Sequence, residues 1–416
     1  MKVLWFEISV PSNYQNTENV LGGWQDSLEK IVKKDNNIEL YIAFEAPVGS
    51  EKKVIEGVTY IPLCTHYSWF EKRMSYYSWS INEDKLMPLC LAVVDEVKPD
   101  IIHVFGNEWP FGLIAEHTSI PVTLHIQGSI TPYNNALYPP QYSFRDFTKA
   151  AGVNLFKQYH LWQNRIKVRT RLAMEKRVWK SVRHYMGRTG WDRALCNTIG
   201  MGSSYHHVDE ALRDMFITSE HLWQPKEDKI IRLFTVGIHN YWKGPDMLLK
   251  TAAVLTEMGV DFEWRVAGQM HYSIKEITEK KEKLSFDDYN IKFLGYVGPE
   301  ELIEHLTKST MYIHTAYIEN SPNSICEAQV LGVPVVSTYV GGIDTLVRNH
   351  IDGVLVPAND PWRMADAIVA LAQDRERMME YSRNTRQHAL ERHDKNNILN
   401  QLLTCYKELI SNDSRL

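Results

Sequence analysis

Short β-branched and aromatic runs alternate with longer amphipathic stretches along the whole chain, and this alternation limits the fold more than any other feature. A strand that leads through a helix into another strand closes a parallel sheet with helices on both faces. The expected class is therefore α/β. Strands are expected at 3–8, 39–44, 101–105, 121–126 and 184–187. After a polar stretch containing Pro225 the series restarts, at 231–236, 263–267, 291–294, 311–314, 334–337 and 353–356. A restart implies two doubly wound, Rossmann-like domains, expected to face each other across a cleft lined by C-terminal strand ends, where ligands gather. The length of 416 residues agrees, because it exceeds one ordinary core and fits two domains of about 200 residues each. The expected division is 1–216, 217–396 and a final helical segment, 397–416, whose partner is left open between the two domains, with a return to the first as one option.

Composition excludes several function classes. Hydrophobic residues at 44% and charged ones at 23% describe a folded chain rather than a disordered one. A net charge of −5 gives no global attraction to nucleic acid, so no nucleic-acid partner is expected. Cys64, Cys90, Cys196, Cys326 and Cys405 are odd in number and scattered, without zinc spacing, which favours a reducing compartment. An acid at Glu7 breaks the first apolar run too early for a secretion signal, and no stretch reaches the roughly 18 apolar residues of a membrane span. The expected location is cytoplasmic, with peripheral contact at the inner face of a membrane left open.

The densest constellation is Thr315-Ala316-Tyr317-Ile318-Glu319-Asn320-Ser321-Pro322-Asn323-Ser324-Ile325-Cys326-Glu327-Ala328. It follows an expected strand and runs into a helix, with Ser321 as the start signal and Pro322 at the first helical position. Backbone N–H groups near Asn323 and Ser324 would then meet the positive end of the helix dipole, a suitable seat for a diphosphate. Glu319 precedes that seat and Glu327 lies beyond it, so two carboxylates flank it, each able to accept two hydroxyl hydrogen bonds. Read alone, such acids are a helix-end charge and a solvated face.

The wider sequence resembles the family-4 retaining glycosyltransferases of the GT-B fold, whose signature is a Glu, seven residues and a second Glu at this place. The resemblance also covers Phe234-Thr235-Val236-Gly237 with Lys243-Gly244-Pro245-Asp246, Val266-Ala267-Gly268, Phe293-Leu294-Gly295-Tyr296-Val297, Leu331-Gly332-Val333-Pro334, Gly341-Gly342 and Gly353-Val354-Leu355-Val356, in order across 231–375. It implies a nucleotide-diphosphate sugar as substrate, no metal and no other cofactor. By the same resemblance Lys243 contacts the diphosphate and Glu319 the sugar, Tyr296 and Val297 hold the base through their backbone, amides near Asn323, Ser324 and Ile325 hold phosphate, and Glu327 holds the ribose. Gly341-Gly342 reads as a turn at a sheet edge. The family usually carries an arginine directly after the glycine of the strand before the lysine. Here that place is Ile238, so half of a cationic clamp is missing, with His239 or Arg188 as candidate substitutes.

In the first half, Leu21-Gly22-Gly23-Trp24 resembles the family's glycine-rich loop beside phosphate and acceptor. His125, at the end of the strand from Pro121, is expected against the donor sugar, in a catalytic role with Glu319 and Lys243. Arg188, in Gly187-Arg188-Thr189-Gly190-Trp191-Asp192, is expected to reach a phosphate or acceptor oxygen with its planar donor fork, and Asp192 to fix the loop. Tyr205-His206-His207 carries little weight as a metal site, because adjacent histidines point apart and a third ligand is not evident.

Between Arg145 and Arg188 twelve Lys or Arg face only Asp146 and Glu175. On a helix Val168, Leu172, Val178, Trp179 and Val182 share one face, with Arg165, Arg169, Lys176, Arg177 and Lys180 largely opposite. The helix either packs its stripe on the sheet and leaves a solvated basic face, or presents that face to an anionic membrane or lipid-pyrophosphate acceptor, together with Tyr138, Tyr142, Phe144, Phe147, Phe156, Tyr159 and Trp162. The expected function is retaining transfer of a hexose-type sugar from a UDP- or GDP-sugar to a glycan or lipid-linked acceptor, in surface polysaccharide or glycolipid synthesis. Two alternatives stand beside it: a sugar-nucleotide 2-epimerase of related fold, and a catalytically silent nucleotide-sugar-binding subunit.

Overall fold

The computed structural model describes residues 1–15, 23–79, 83–226 and 229–413. The chain forms two compact units, one of residues 1–131, 159–213 and 393–416, the other of residues 132–158 and 214–392. The units part at 213/214, close to the expected 216/217. The excursion of 132–158 into the second unit has no counterpart in the strand and helix periodicity, because periodicity reports which residues are buried and not against what.

Among the described residues the first unit contains strands β1 (Lys2–Glu7), β2 (Glu39–Glu45), β3 (Lys53–Ile55), β4 (Val58–Leu63), β5 (Ile101–Phe105), β6 (Val122–His125), β7 (His184–Gly187) and β8 (Ser204–His207), ordered β3-β4-β2-β1-β5-β6-β7-β8. All pairings are parallel except the hairpin of β3 and β4. β1 explains the two-sided cover. Its alternate residues Leu4 and Phe6 enter one core, with Ile102, Val104, Leu124 and Val178, while Val3 and Trp5 enter the other, with Ile42, Phe44 and Phe105. A strand buried on both faces reads as a continuous apolar run.

The last helix, Lys395–Asp413, belongs to the second of these cores through Ile398, Leu402, Cys405, Tyr406 and Leu409. Its Tyr406 hydroxyl accepts the Trp5 indole N–H at 3.0 Å and lies 2.6 Å from His103 Nδ1, all three side chains being buried. Burial pushes the His103 pKa down to about 3, so the imidazole is neutral. One hydroxyl therefore satisfies two buried polar groups.

The second unit contains β9 (Ile231–Val236), β10 (Phe262–Ala267), β11 (Ile291–Gly295), β12 (Met311–His314), β13 (Val335–Thr338) and β14 (Gly353–Val356), ordered β11-β10-β9-β12-β13-β14 and parallel throughout. The order reverses between β9 and β12, which makes the crevice beyond their C-terminal ends the switch point where open α/β sheets bind ligands. The five cysteines are free thiols, and no helix among the described residues is long and apolar enough to cross a membrane.

Tyr406→Phe is expected to lower the unfolding free energy by about 1–3 kcal/mol, because it strands the Trp5 N–H and a His103 nitrogen in the core. Urea denaturation followed by tryptophan fluorescence checks this, and an unchanged midpoint would show that neither group depends on the hydroxyl.

Candidate functional site

At the switch point of the second sheet the chain leaves β9 through Gly237 and forms the short turn Tyr241–Lys243, while after β12 it passes through Thr315 to Glu319. The two loops are tied to each other. Thr315 Oγ1 donates to the Lys243 carbonyl at 2.9 Å, and the Tyr317 N–H donates to the Trp242 carbonyl at 2.7 Å. Gly244 has φ +71°, and a Cβ there would stand 2.0 Å from the Thr315 carbonyl oxygen, so only glycine lets the loops approach this closely.

The result is a direct ion pair between Lys243 Nζ and Glu319 Oε2. Both partners are largely withdrawn from solvent, with side-chain exposures of 17% and 10%. The other carboxylate oxygen, Oε1, is 3.4 Å from the Tyr133 hydroxyl, and His314 Nε2 lies 3.8 Å from Oε2. His314 is buried, which lowers its pKa to about 4, and Glu319 opposes that shift only in part. The imidazole is therefore a neutral neighbour rather than a second cation. Glu319 is held from behind as well: its carbonyl accepts the Gly342 N–H at 3.0 Å, and at Gly341, φ +53°, a Cβ would sit 1.8 Å from that carbonyl oxygen.

The following helix runs Asn323–Val330 with Pro322 as its cap. It starts one residue later than Ser321 and Pro322 signalled, because Pro322 is extended, at ψ 120°, and its carbonyl rather than a serine side chain receives the first turn. The Ile325 N–H donates to that carbonyl at 3.0 Å, so it is engaged inside the helix and the expected phosphate role narrows to the amides of Asn323 and Ser324. Ser324 Oγ accepts the buried Tyr312 hydroxyl at 2.9 Å, and Glu327 is 4% exposed. Tyr296 and Val297 follow β11, and the Tyr296 ring is exposed at that sheet edge.

The first unit assembles its own group at the ends of β6 and β7. His125 is fully buried, and its two ring nitrogens find no hydrogen-bond partner among the described residues. Burial first, with the Arg188 charge adding to it, holds it well below the ordinary histidine range. Trp24 stands edge-on to it at 4.7 Å and carries the Arg188 guanidinium over its ring at 4.9 Å. Arg188 also donates to the Gln127 carbonyl at 3.0 Å, and Asp192 accepts its backbone N–H at 2.8 Å, which fixes the loop.

Residues 219–388 match the family described as "Glycosyl transferases group 1". Most of the second unit is therefore similar to group 1 glycosyl transferases. The chain is similar to a D-inositol 3-phosphate glycosyltransferase of Corynebacterium urealyticum, 31% identical over 180 residues that make up 42% of each chain. A D-inositol 3-phosphate glycosyltransferase 1 of Catenulispora acidiphila is 29% identical over 170 residues. The matched segment spans about 40% of the length of these relatives. Over 99% of both chains the fold is similar to sucrose-phosphate synthase from Thermosynechococcus elongatus, with a TM-score of 0.70 at 14% identity. Anabaena HepE, solved with UDP and glucose, matches with a TM-score of 0.65 over 98% of this chain and 99% of its own, at 15% identity. The family-4 resemblance and the two-domain GT-B class expected from the motifs are both borne out.

In the second unit the structure pairs Lys243 with Glu319 and sets Ser324, beside Tyr312, in the first turn of the helix that carries Glu327. In the first unit it groups Gly23, His125 and Arg188 around Trp24. The Gly23 N–H is engaged with Asp26 Oδ2 at 2.9 Å, so this amide caps its own helix rather than pointing to a ligand. Gly22 lies outside the described residues. Sequence reasoning missed Tyr133, His314 and Trp242 near Glu319. His314, the last residue of a strand at a switch point, was findable by that position; Tyr133 carries no motif.

Gly341→Ala is expected to cost about 1–3 kcal/mol and to displace the Glu319 backbone, because alanine has neither the space nor the favoured φ. Hydrogen-exchange mass spectrometry checks it, with faster exchange at 317–321 as the expected result and unchanged protection there as the contrary one.

Proposed function

We propose that the chain is a retaining glycosyltransferase moving a hexose-type sugar from a UDP- or GDP-sugar to a glycan or lipid-linked acceptor. The observation that carries this reading is the buried Lys243–Glu319 pair at the switch point, inside the region that matches the glycosyl transferase family. The pair sets a phosphate-binding cation beside a hydroxyl-binding carboxylate, the two chemistries a sugar diphosphate presents on either side of its scissile bond. HepE, solved with UDP and glucose, supports a uridine donor as the first to be tried.

In the proposed reaction an acceptor hydroxyl oxygen bonds to the anomeric carbon on the face from which the nucleotide departs. The bond from that carbon to the phosphate oxygen breaks, and the acceptor proton passes to the departing phosphate. Lys243 and the amides at the start of helix Asn323–Val330 meet the charge gathering on the diphosphate. Glu319 orients the sugar and opposes the positive charge of the oxocarbenium-like state. His125, neutral and buried, is proposed to donate a hydrogen bond to the sugar, and Arg188 to hold the acceptor. Charge at the diphosphate is met by these groups in this reading, without a metal or another cofactor.

Membrane-linked acceptors fit a surface of the first unit. On helix Trp69–Ser78, Trp69 is 72% exposed and Phe70 65%, and on helix Leu155–Ser181 Trp162 is 56% exposed. Tyr77 and Tyr159 join these helices with their rings 6.1 Å apart, and Gln163 donates to the Tyr76 carbonyl at 3.0 Å. Arg165, Arg169, Lys176 and Lys180 are exposed alongside, whereas Arg177 is held by Glu83 and Glu116 at 2.8 and 3.0 Å. Val178, Trp179 and Val182 pack in the core, so the helix both covers the sheet and presents a basic face. Aromatic side chains beside exposed cations suit an anionic bilayer. Tyr142 and Phe147, expected on this face, are buried elsewhere.

Two experiments test the reading. Calorimetry with UDP-glucose and GDP-mannose, followed by transfer assays, is expected to show donor binding by the wild type. Glu319→Gln is expected to keep nucleoside diphosphate binding and to lower transfer at least about 100-fold, about 3 kcal/mol of lost transition-state stabilisation; full activity of that variant would remove Glu319 from the reaction. Co-sedimentation with phosphatidylglycerol vesicles is expected to weaken about tenfold when Arg165, Arg169, Lys176 and Lys180 are neutralised together, at about 1 kcal/mol for each cation that is near the surface. Unchanged sedimentation would exclude membrane contact through this face.

A further inference from the structure

Residues 132–158 leave the first half of the chain and pack on the second unit. Their anchor is Phe147, 4% exposed, whose ring stands edge-on to Tyr241 at 4.6 Å and touches Tyr138 at 4.9 Å. Ion pairs of Asp146 with Lys281 at 3.1 Å and of Lys157 with Glu276 at 3.8 Å flank it. Tyr241 opens the same three-residue turn that ends in Lys243. The segment is therefore fastened to the element that carries the site's lysine. Near its beginning Tyr133 stands edge-on to Trp242, 5.8 Å between ring centres, and its hydroxyl faces Glu319 Oε1 at 3.4 Å.

This placement matters because Lys243 and Glu319 now satisfy each other. A diphosphate entering the crevice draws Lys243 towards its own charge, and a withdrawn carboxylate that loses its cation is destabilised unless another donor holds it. His314, neutral and 3.8 Å away, faces the oxygen that Lys243 already holds. The Tyr133 hydroxyl faces the other one.

We propose that Tyr133 is a positioning residue of the donor site: its hydroxyl keeps Glu319 aimed at the sugar when Lys243 turns to the diphosphate, and segment 132–158 exists in the second unit to deliver it. The inference rests on the donor reading given above. It differs from a packing role in what it predicts, because the hydroxyl matters only to a ligand that carries a sugar.

Calorimetry on the full chain tests it with UDP, GDP, UDP-glucose and GDP-mannose. For whichever nucleotide binds, Tyr133→Phe is expected to weaken the sugar conjugate about fivefold to tenfold and leave the bare diphosphate unchanged, the range for one hydrogen bond to a charged group at the long end of its distance. Phe147→Ala, which packs on Tyr241 in the turn that carries Lys243, is the contrasting control and is expected to weaken both ligands alike, with thermal melting confirming that the variant is folded. Equal losses for both ligands in Tyr133→Phe would assign the residue to packing and overturn the inference. So would unchanged affinity for the sugar conjugate while the wild type binds. A wild type that binds none of the four overturns the donor reading and this inference with it.

Discussion

The ion pair between Lys243 and Glu319 exists only because the order of strands reverses between β9 and β12. Each residue sits on the loop leaving one of those two strands, far apart in sequence, and the sheet brings the loops together at its C-terminal edge. An exposed pair of this kind contributes little, but one withdrawn from solvent is demanding. Desolvating both charges costs several kcal/mol per ion, and removing either partner leaves an uncompensated charge. A fold seeking only stability is served as well by apolar residues there. The pair thus fits the proposed donor site, in which its members take separate partners.

That arrangement is enforced by backbone rather than by side-chain packing. Glycine at 244 admits the Thr315 carbonyl, and glycine at 341 admits the Glu319 carbonyl, both at positive φ where a side chain would be strained as well as crowded. The Lys243 and Glu319 loops are further fixed by carbonyls that accept from Thr315, Tyr317 and Gly342. Preorganised polar groups of this type require no reorganisation when charge develops, which is where catalytic stabilisation comes from. Gly341-Gly342, readable in sequence only as a turn, is in fact the backing of the glutamate.

Much of this is legible in the amino-acid sequence. The strands of both series lie within a residue or two of their expected positions, because sheets covered on both faces demand uninterrupted apolar runs such as 3–6 and 311–313. β3, β4 and β8 escape such reading: β3 is largely exposed, Pro62 interrupts β4, and β8 is a histidine-rich edge strand. Lys243, Glu319, Ser324 and Glu327 are found together because they carry a pattern in linear order. Tyr133 is not, since a tyrosine on a segment that changes partners in space has no periodicity to betray it. The same blindness assigns Tyr142 and Phe147 to an exposed aromatic face that only Phe156, Tyr159 and Trp162 share. For the Gly23 and Ile325 amides, sequence places them at helix starts but cannot show that Asp26 and the Pro322 carbonyl already occupy them.

The missing arginine then takes on a definite meaning. Ile238 is 2% exposed, so its side chain belongs to the apolar interior and leaves no charge on the crevice side of Gly237. His239 does not replace it, because partial burial and then the Lys243 ammonium lower its pKa, and the ring is neutral at pH 7. His314 is neutral as well. Among the described side chains paired with Glu319, Lys243 is therefore the one cation, and the proposed reading asks it to meet the diphosphate as well. A site with two cations could keep one on each substrate group. In the proposed donor reading, a single cation means that the carboxylate is released as the phosphate is bound, and that what holds it afterwards is a neutral donor.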